Sequence, residues 1–431
     1  MLYNLPKNWC ECRFSDVCYL QNGYAFDSKS YKEKGTYLIR ISDIQNNEVH
    51  CTNCVKVTEE VDKCFTVSYG DFLLAMSGAT TGKTGVYKDS NKALLNQRVG
   101  NLKIYDENII IPKFRNYFIS SKRQEIEKLA YGGAQPNISK SMIENLKMLL
   151  PPLEEQGRIV EKIEELFSDI DNGIKDLKIA QAQIKQYRQS VLKSALEGKL
   201  YKTSEWKEVK LEDVCSKITD GSHFSPKSKI DGLYPYITVK DVKNDIIDFA
   251  NSKRIDKDEY DLLVKSGCKP QLNDVLFSKD GTVGKVVLIK YNKEFVVLSS
   301  LAIIRPKQII ESKFLYYILK SPQFLIEATN KKVGVAIRRI ILATLKKISV
   351  PLPTIPEQQQ IVAEIEKRFA VADEMEKAVN YSLLQAEKLK QSILKQAFAG
   401  KLVPQNPNDE PAAVLLERIK AAKENSTKGK K

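Results

Sequence analysis

At 431 residues, with 42% hydrophobic and 28% charged residues, the chain has the composition of an ordinary globular protein of two to four domains, not of a fibrous or disordered one. No apolar run approaches the roughly 18–20 residues of a membrane helix, and Met1-Leu2-Tyr3-Asn4 opens no secretory signal, so a cytoplasmic protein without a membrane partner is expected. The net charge of +14 is unevenly placed: 20 basic against 16 acidic residues in 1–150, 8 against 9 in 151–200, and 27 against 18 in 201–350. Positive charge carried by folded regions, with near-neutral segments between them, is the footprint of a polyanion partner.

Residues 1–150 read as a mixed α/β domain on an irregular β framework. Strands are expected at Val86-Tyr87 and from Asn101 to Ile104, and a helix over 113–129. Six of the eight cysteines lie here: Cys10, Cys12, Cys18, Cys51, Cys54 and Cys64. Cys51-Thr-Asn-Cys54 beside His50 has a zinc-knuckle spacing. The second half of the chain offers only Cys215 and Cys268, without a comparable pair, so buried free thiols are the better reading. After one strand comes Ser77-Gly78-Ala79-Thr80-Thr81-Gly82-Lys83-Thr84. It looks like a nucleotide-binding loop but fails by count, since three residues separate its glycines where four are required. What is left is a tight turn that brings Lys83 to the surface.

Residues 151–200 form a helical region. Pro151-Pro152-Leu153-Glu154-Glu155-Gln156 is a start signal, Gly198 a stop. Between them Ile159, Ile163, Leu166, Ile170, Ile174, Leu177, Ile184, Tyr187, Val191 and Ala195 recur at helical spacing. A second α/β domain spans 201–352, with strands expected at Val286–Ile289 and Val296–Arg305 and a helix over 312–330. Its glycine turn, Ser278-Lys279-Asp280-Gly281-Thr282-Val283-Gly284-Lys285, also fails the nucleotide-loop spacing. A second helical region follows over 353–402, opened by Pro353-Thr354-Ile355-Pro356-Glu357-Gln358 and closed at Gly400. Its stripe is Val362, Ile365, Phe369, Ala372, Met375, Val379, Leu383, Ala386, Leu389, Ile393 and Ala397. Residues 403–431 make a tail with a short helix.

The two helical regions are one sequence written twice. Gln-Ser-Val-Leu-Lys-Ser-Ala-Leu-Glu-Gly-Lys-Leu at 189–200 returns as Gln-Ser-Ile-Leu-Lys-Gln-Ala-Phe-Ala-Gly-Lys-Leu at 391–402, at a constant offset of 202. The domains repeat more faintly, as in Tyr37-Leu38-Ile39 against Pro235-Tyr236-Ile237. Neither helix, about 60 Å long at 1.5 Å per residue, buries its stripe alone. The expected solution is an antiparallel coiled coil that holds the two domains apart at its ends.

No catalytic set emerges. His50 and His223 do not match between repeats, acidic residues lack metal-ligand spacing, and no Asn/Asp-Pro-Pro-Tyr/Phe tetrapeptide for base methylation is present. The chain reads as a binding protein. The Leu-Pro-Pro-Leu-Glu-Glu-Gln opening at 150–156, the repeated Gln-Ser-x-Leu-Lys-x-Ala-x-x-Gly-Lys-Leu and the tail from Leu402 to Ala412 resemble the DNA specificity (S) subunit of type I restriction-modification enzymes. The resemblance covers nearly the whole chain. It implies two target-recognition domains reading a bipartite site in double-stranded DNA across an unread spacer. Two methyltransferase (M) subunits would dock on the helical regions and two restriction (R) subunits would join them. S-adenosylmethionine, ATP and Mg would belong to those partners, with no cofactor on this chain. Lys83, Arg98, Lys285, Arg338 and Arg339, in or near the glycine turns and the loops before the helical regions, are the candidates for DNA contact. Arg338-Arg339 takes the place of Pro136-Asn137 in the first repeat. The alternative is a coiled-coil adaptor with basic protein-binding domains, which predicts salt-insensitive partner binding and no duplex affinity.

Overall fold

The structure is a computed structural model that describes residues 5–130, 136–329 and 339–428. Two compact units emerge, one built from residues 1–176 and 383–431, the other from 177–382. The boundaries cut both long helices in the middle, so each unit is an α/β domain joined to one half of each helix.

The same framework appears in both units. In the first, Cys18–Asn22, Val99–Ile104, Phe72–Ala75 and Thr84–Tyr87 are neighbours in that order in an antiparallel sheet. In the second, Cys215–Asp220, Leu301–Pro306, Val275–Ser278 and Val286–Leu288 repeat that order. A further sheet pairs Thr36–Ile39 in parallel with Ala93–Leu95, as Tyr234–Ile237 pairs with Val296-Val297. A two-stranded ribbon brings each domain's start beside its end, Cys10–Arg13 against Lys147–Leu150 and Lys207–Lys210 against Ser349–Leu352. Small hairpins in both units turn on pairs in the left-handed region, Asn46-Asn47 and Asn244-Asp245, where Asn and Asp are tolerated best. The strand expected from Val296 to Arg305 is two strands. Leu298–Ser300 turns between them, because Val297 pairs with Ile237 in one sheet and Leu301 with Ser278 in another.

Aspartates just before each central strand fix that framework. Asp71 receives Lys103 Nζ at 2.5 Å and the Asn101 amide at 2.9 Å, and Asp274 receives Arg305 at 2.8 Å from both Nε and Nη2. Lys103 and Arg305 stand 202 residues apart, so the pair is part of the repeat.

The long helices run Leu153–Leu196 and Ile355–Ala397. Within the second unit Arg188 Nη2 reaches Asp373 at 2.7 Å and Glu376 at 3.0 Å, while Gln181 donates to Asn380 at 2.8 Å. Within the first, Lys390 Nζ meets Asp171 at 2.5 Å. Rising numbers on one helix meet falling numbers on the other, so the halves pair antiparallel in each unit. Burial is most extensive where a helix half also meets its domain, at Ile159, Val160, Ile163, Ile393, Leu394 and Ala397 in the first unit and at Val191, Leu192, Ala195, Ile361, Val362 and Ile365 in the second, with Ala372 buried farther along the helix. Farther along, the stripe is half-buried, and Tyr187, Met375 and Leu389, expected on the buried face, are exposed. Two helices alone cover too narrow a strip to hide every apolar position.

The glutamine that follows Pro-x-x-x-x at each helix start explains that signature. Gln156 accepts from Ile111 N at 3.0 Å and donates to Ile109 O at 2.9 Å and Pro151 O at 3.1 Å. Gln358 does the same with Glu311 N at 2.7 Å, Ile309 O at 3.0 Å and Pro353 O at 2.9 Å. Each fully buried amide locks its long helix to the loop that leads into the domain's Pro112–Ser121 or Ser312–Lys320 helix.

Finally, the tail closes the first unit. Its helix, Ala412–Lys428, is longer than the short one expected and buries Ala412, Leu415, Leu416 and Ile419 in the first domain's core. Ala412 N donates to Asn8 O at 2.9 Å, and Arg158 Nη2 lies 2.5 Å from the buried Asp409 carboxylate. No described helix is long and apolar enough to cross a membrane.

Candidate nucleic-acid interface

In each domain three segments meet at the glycine turn. Gly78 and Gly82, like Gly281 and Gly284, take positive φ between 72° and 90°, which lets the chain reverse within a few residues. Met76 N donates to Arg98 O at 2.9 Å, and Ile138 N to Met76 O at 2.7 Å. The second domain matches bond for bond, with Lys279 N on Ser300 O at 3.0 Å and Ile340 N on Lys279 O at 2.8 Å. Ser77 bridges Asn137 and Asp280 bridges Arg339 at the same place. The turn, the segment before the long inner strand and the loop before the last short helix therefore form one repeated cluster.

Four of the five predicted contact residues belong to these clusters. Lys83 and Arg98 are exposed in the first domain, and the Arg98 carbonyl is bonded to the turn. In the second, Arg339 is exposed, while Lys285 is half-buried and donates to Val239 O at 3.1 Å and Val242 O at 2.5 Å. Its ammonium holds the turn against the neighbouring 3-10 turn, so only part of its donor capacity faces outward. Arg338 lies outside the described residues.

Beside Lys83 and Arg98, the first domain's turn carries neutral hydroxyls. Thr81 Oγ1 donates to Gly78 O at 2.6 Å, and Thr80 Oγ1 to Ile41 O at 3.4 Å. The second carries charges that sequence reasoning missed. Lys279, 1% exposed, lies 3.2 Å from Asp220 and 3.4 Å from Asp280, and His223 lies 3.2 Å from Asp220. The Lys279-Asp280 pair is visible in the turn sequence, but its coupling to Asp220 needs the register of two strands.

The cysteines do not assemble into a metal centre among the described residues. Cys51 Sγ is 3.0 Å from Tyr87 Oη, Cys54 Sγ donates to the His50 carbonyl at 3.5 Å, and the His50 ring turns to Glu48 at 3.1 Å. Burial pushes the Cys51 and Cys54 thiols up from their ordinary value. None of the eight cysteines is in a disulfide, yet not all are buried: Cys10 and Cys54 are half-buried and Cys64 is exposed.

The repeated domain with its helix half is also a recognised sequence unit. The profile described as "Type I restriction modification DNA specificity domain" matches residues 6–178 and again 203–385. The chain belongs to that family. It is 28% identical to the Escherichia coli type I restriction enzyme EcoBI specificity subunit, covering 97% of this chain and 93% of that one. It is 26% identical to the MjaVIII specificity subunit of Methanocaldococcus jannaschii over 94% of this chain and 95% of that one. A solved chain from "Structural basis underlying complex assembly and conformational transition of the type I R-M system" shares the fold, with a TM-score of 0.66, 21% identity, and coverage of 93% of this chain and all of that one. As a specificity subunit of this family, the chain is not an enzyme, and the coiled-coil adaptor reading falls to the family match.

Proposed function

We propose that the two glycine-turn clusters read the two halves of a bipartite DNA target, and that the long helices set the unread spacer between them. The observation that carries this is the bond-for-bond repetition of the cluster on two domains that hold most of the excess positive charge. Each long helix also runs unbroken from one unit into the other, which makes the helix pair the natural ruler. Two methyltransferase subunits dock on the helical regions, where Ile179, Val371, Met375, Tyr381, Leu384 and Leu389 leave apolar surface exposed. Two restriction subunits join the assembly, which works in the cytoplasm. S-adenosylmethionine, ATP and Mg act on those partners. Lys83, Arg98, Lys285, Arg338 and Arg339 are assigned to DNA.

The test is to express the chain with its methyltransferase subunit and map methylated adenines genome-wide. Two short half-sites at a fixed spacing are expected; methylation without sequence preference would sink the reading. In binding assays, replacing Lys83 or Arg98 by Ala should weaken all sequences alike and reduce the salt slope by about one for each phosphate no longer neutralised. Unchanged binding at all five positions removes the residue assignment.

The ruler has its own test. From the sequence alone, residues added between Ala195 and Trp206 are expected to push the second domain outward. The packing of the second domain on both helix halves through Val191, Leu192, Ile361 and Gln358 favours a different outcome, in which a longer linker loops out. Matched seven-residue insertions after Lys178 and Tyr381 lengthen the pair by about 10 Å. The spacer should grow by roughly three base pairs at about 3.4 Å each, with both half-sites unchanged.

A further inference from the structure

Lys279 is the most expensive residue in either glycine turn. A fully buried ammonium costs several kcal/mol unless it is paired, and nothing in the fold asks for one here. The first domain builds the same turn with Met76 at that position, Ser77 in place of Asp280 and Asn137 in place of Arg339, keeping the same backbone bonds. The charges therefore serve something other than the turn.

They form a chain that ends at the surface. Asp220 Oδ1 lies 3.2 Å from Lys279 Nζ, which lies 3.4 Å from Asp280 Oδ2. Asp280 Oδ1 lies 3.4 Å from Nε of Arg339, whose side chain is 60% exposed. Two carboxylates face two cations, so the guanidinium at the end is held by a balanced, largely buried set of charges. Asp280 engages the Nε side, while the two Nη groups are bonded to no described residue. An exposed arginine paired through Nε, with its Nη donors left over, has the form that reads O6 and N7 of guanine in the major groove. A phosphate contact needs no such support, since a flexible Lys or Arg neutralises a phosphate from many positions.

Resting on the DNA-reading assignment above, we propose that Arg339 is a guanine-reading residue of the second domain. Asp280, and behind it Lys279 and Asp220, are positioning residues that hold its guanidinium for that contact. The first domain, with Asn137 on the same backbone bridge, reads its half-site by different chemistry at the equivalent place.

The experiment uses the complete methyltransferase complex and a duplex library in which each position of both half-sites is varied in turn. For Arg339→Ala, discrimination should fall roughly 5- to 150-fold at one guanine-containing position of the second half-site, the range a bidentate base contact supports. The first half-site and every other position should hold. Arg339→Lys keeps the charge but not the fork and should relax the same position. The double variant Lys279→Met with Asp280→Ser installs the first domain's residues on a backbone that already accepts them. It should fold and relax that same position with Arg339 still present, an effect that a purely structural role of the pair would not produce. If Arg339→Ala weakens all sequences uniformly and flattens the salt dependence, Arg339 is a phosphate contact and the inference is overturned. It is equally overturned if discrimination is unchanged throughout. If the unsubstituted complex shows no bipartite preference, the parent reading fails first, and that control separates the two.

Discussion

Glu155 and Glu357 occupy the same place in the repeat, one residue before the locking glutamine, and their surroundings are opposite. Glu357 receives Thr203 N at 2.8 Å, Ser204 N at 3.0 Å, Ser204 Oγ at 2.6 Å and Thr354 Oγ1 at 3.0 Å. These bonds, led by that of Ser204 Oγ, pull its carboxyl far below the ordinary value. Glu155 is buried beside Trp9 and Arg158, yet its Oε1 accepts no bond from a described residue, and burial raises its carboxyl. The cause is the course of the chain. In the second unit the linker from the first long helix passes over the junction and delivers Thr203 and Ser204. In the first unit the tail comes to that place with Asp409, an acid that binds Arg158 and whose charge raises the Glu155 carboxyl further. One sequence motif thus gives a capped junction where the backbone is continuous and an under-bonded one where a second segment must substitute.

Removing the tail breaks this comparison most severely. Deleting residues 403–431 uncovers the sites of Leu415, Leu416 and Ile419 and should cost the first unit about 5 kcal/mol, leaving the second unit unchanged. Hydrogen exchange read separately over the two domains checks this; equal loss of protection in both would contradict it.

Next in size are the glutamines. Gln156→Ala and Gln358→Ala each remove three bonds and leave buried backbone groups unpaired, costing about 2–4 kcal/mol. The two losses should be similar, because the two amides make equivalent bonds. A large difference in urea denaturation would show that the repeat is not symmetric even there.

The smallest expected effects are the most informative, since they differ in sign. The folded-state carboxyl of Glu357 is lowered, so its contribution is present above the ordinary glutamate range and is lost as pH falls through the folded value. Glu357→Gln should therefore destabilise at neutral pH, and the gap from the parent should close in acid. The Glu155 carboxyl is raised, so its ionised form is penalised at neutral pH and the penalty disappears as pH falls. Glu155→Gln should be neutral or stabilising by roughly 0.5–1 kcal/mol at about pH 7, with the gain vanishing toward acid pH. Urea denaturation followed from about pH 2 to 8 distinguishes the two, because the Glu357 window lies below the ordinary glutamate value and the Glu155 window above it; parallel curves over that whole range would refute the contrast.

The helices and their antiparallel pairing were legible because periodicity and a constant offset are properties of the sequence itself. A strand was legible at 101–104, although it starts earlier, at Val99, and strand positions were misjudged at 296–305, where two sheets share one apolar run across a turn. The exposure of Met375 and Leu389 was hidden for a different reason. A stripe shows which face is apolar but not how much neighbouring surface exists to cover it. At the candidate interface, Lys83, Arg98 and Arg339 could be found from their place near the glycine turns. The carbonyl clamp of Lys285 and the link between Asp220 and Lys279 depend on pairings across 43 and 59 residues, which no local pattern encodes.

The discontinuity of the first unit also sets an order of events during synthesis. The second unit is one contiguous stretch and has all its parts once residue 382 has been made, whereas Asn8 and Asp409, joined in the finished first unit, are about as far apart as the chain permits. At roughly 5–20 residues per second, the amino-terminal domain waits tens of seconds after its own translation for the helix half and tail that complete it. Throughout that interval the docking sites of Leu415, Leu416 and Ile419 stand open, so the domain made first is finished last and is the part of the nascent chain most exposed to chaperones and proteases.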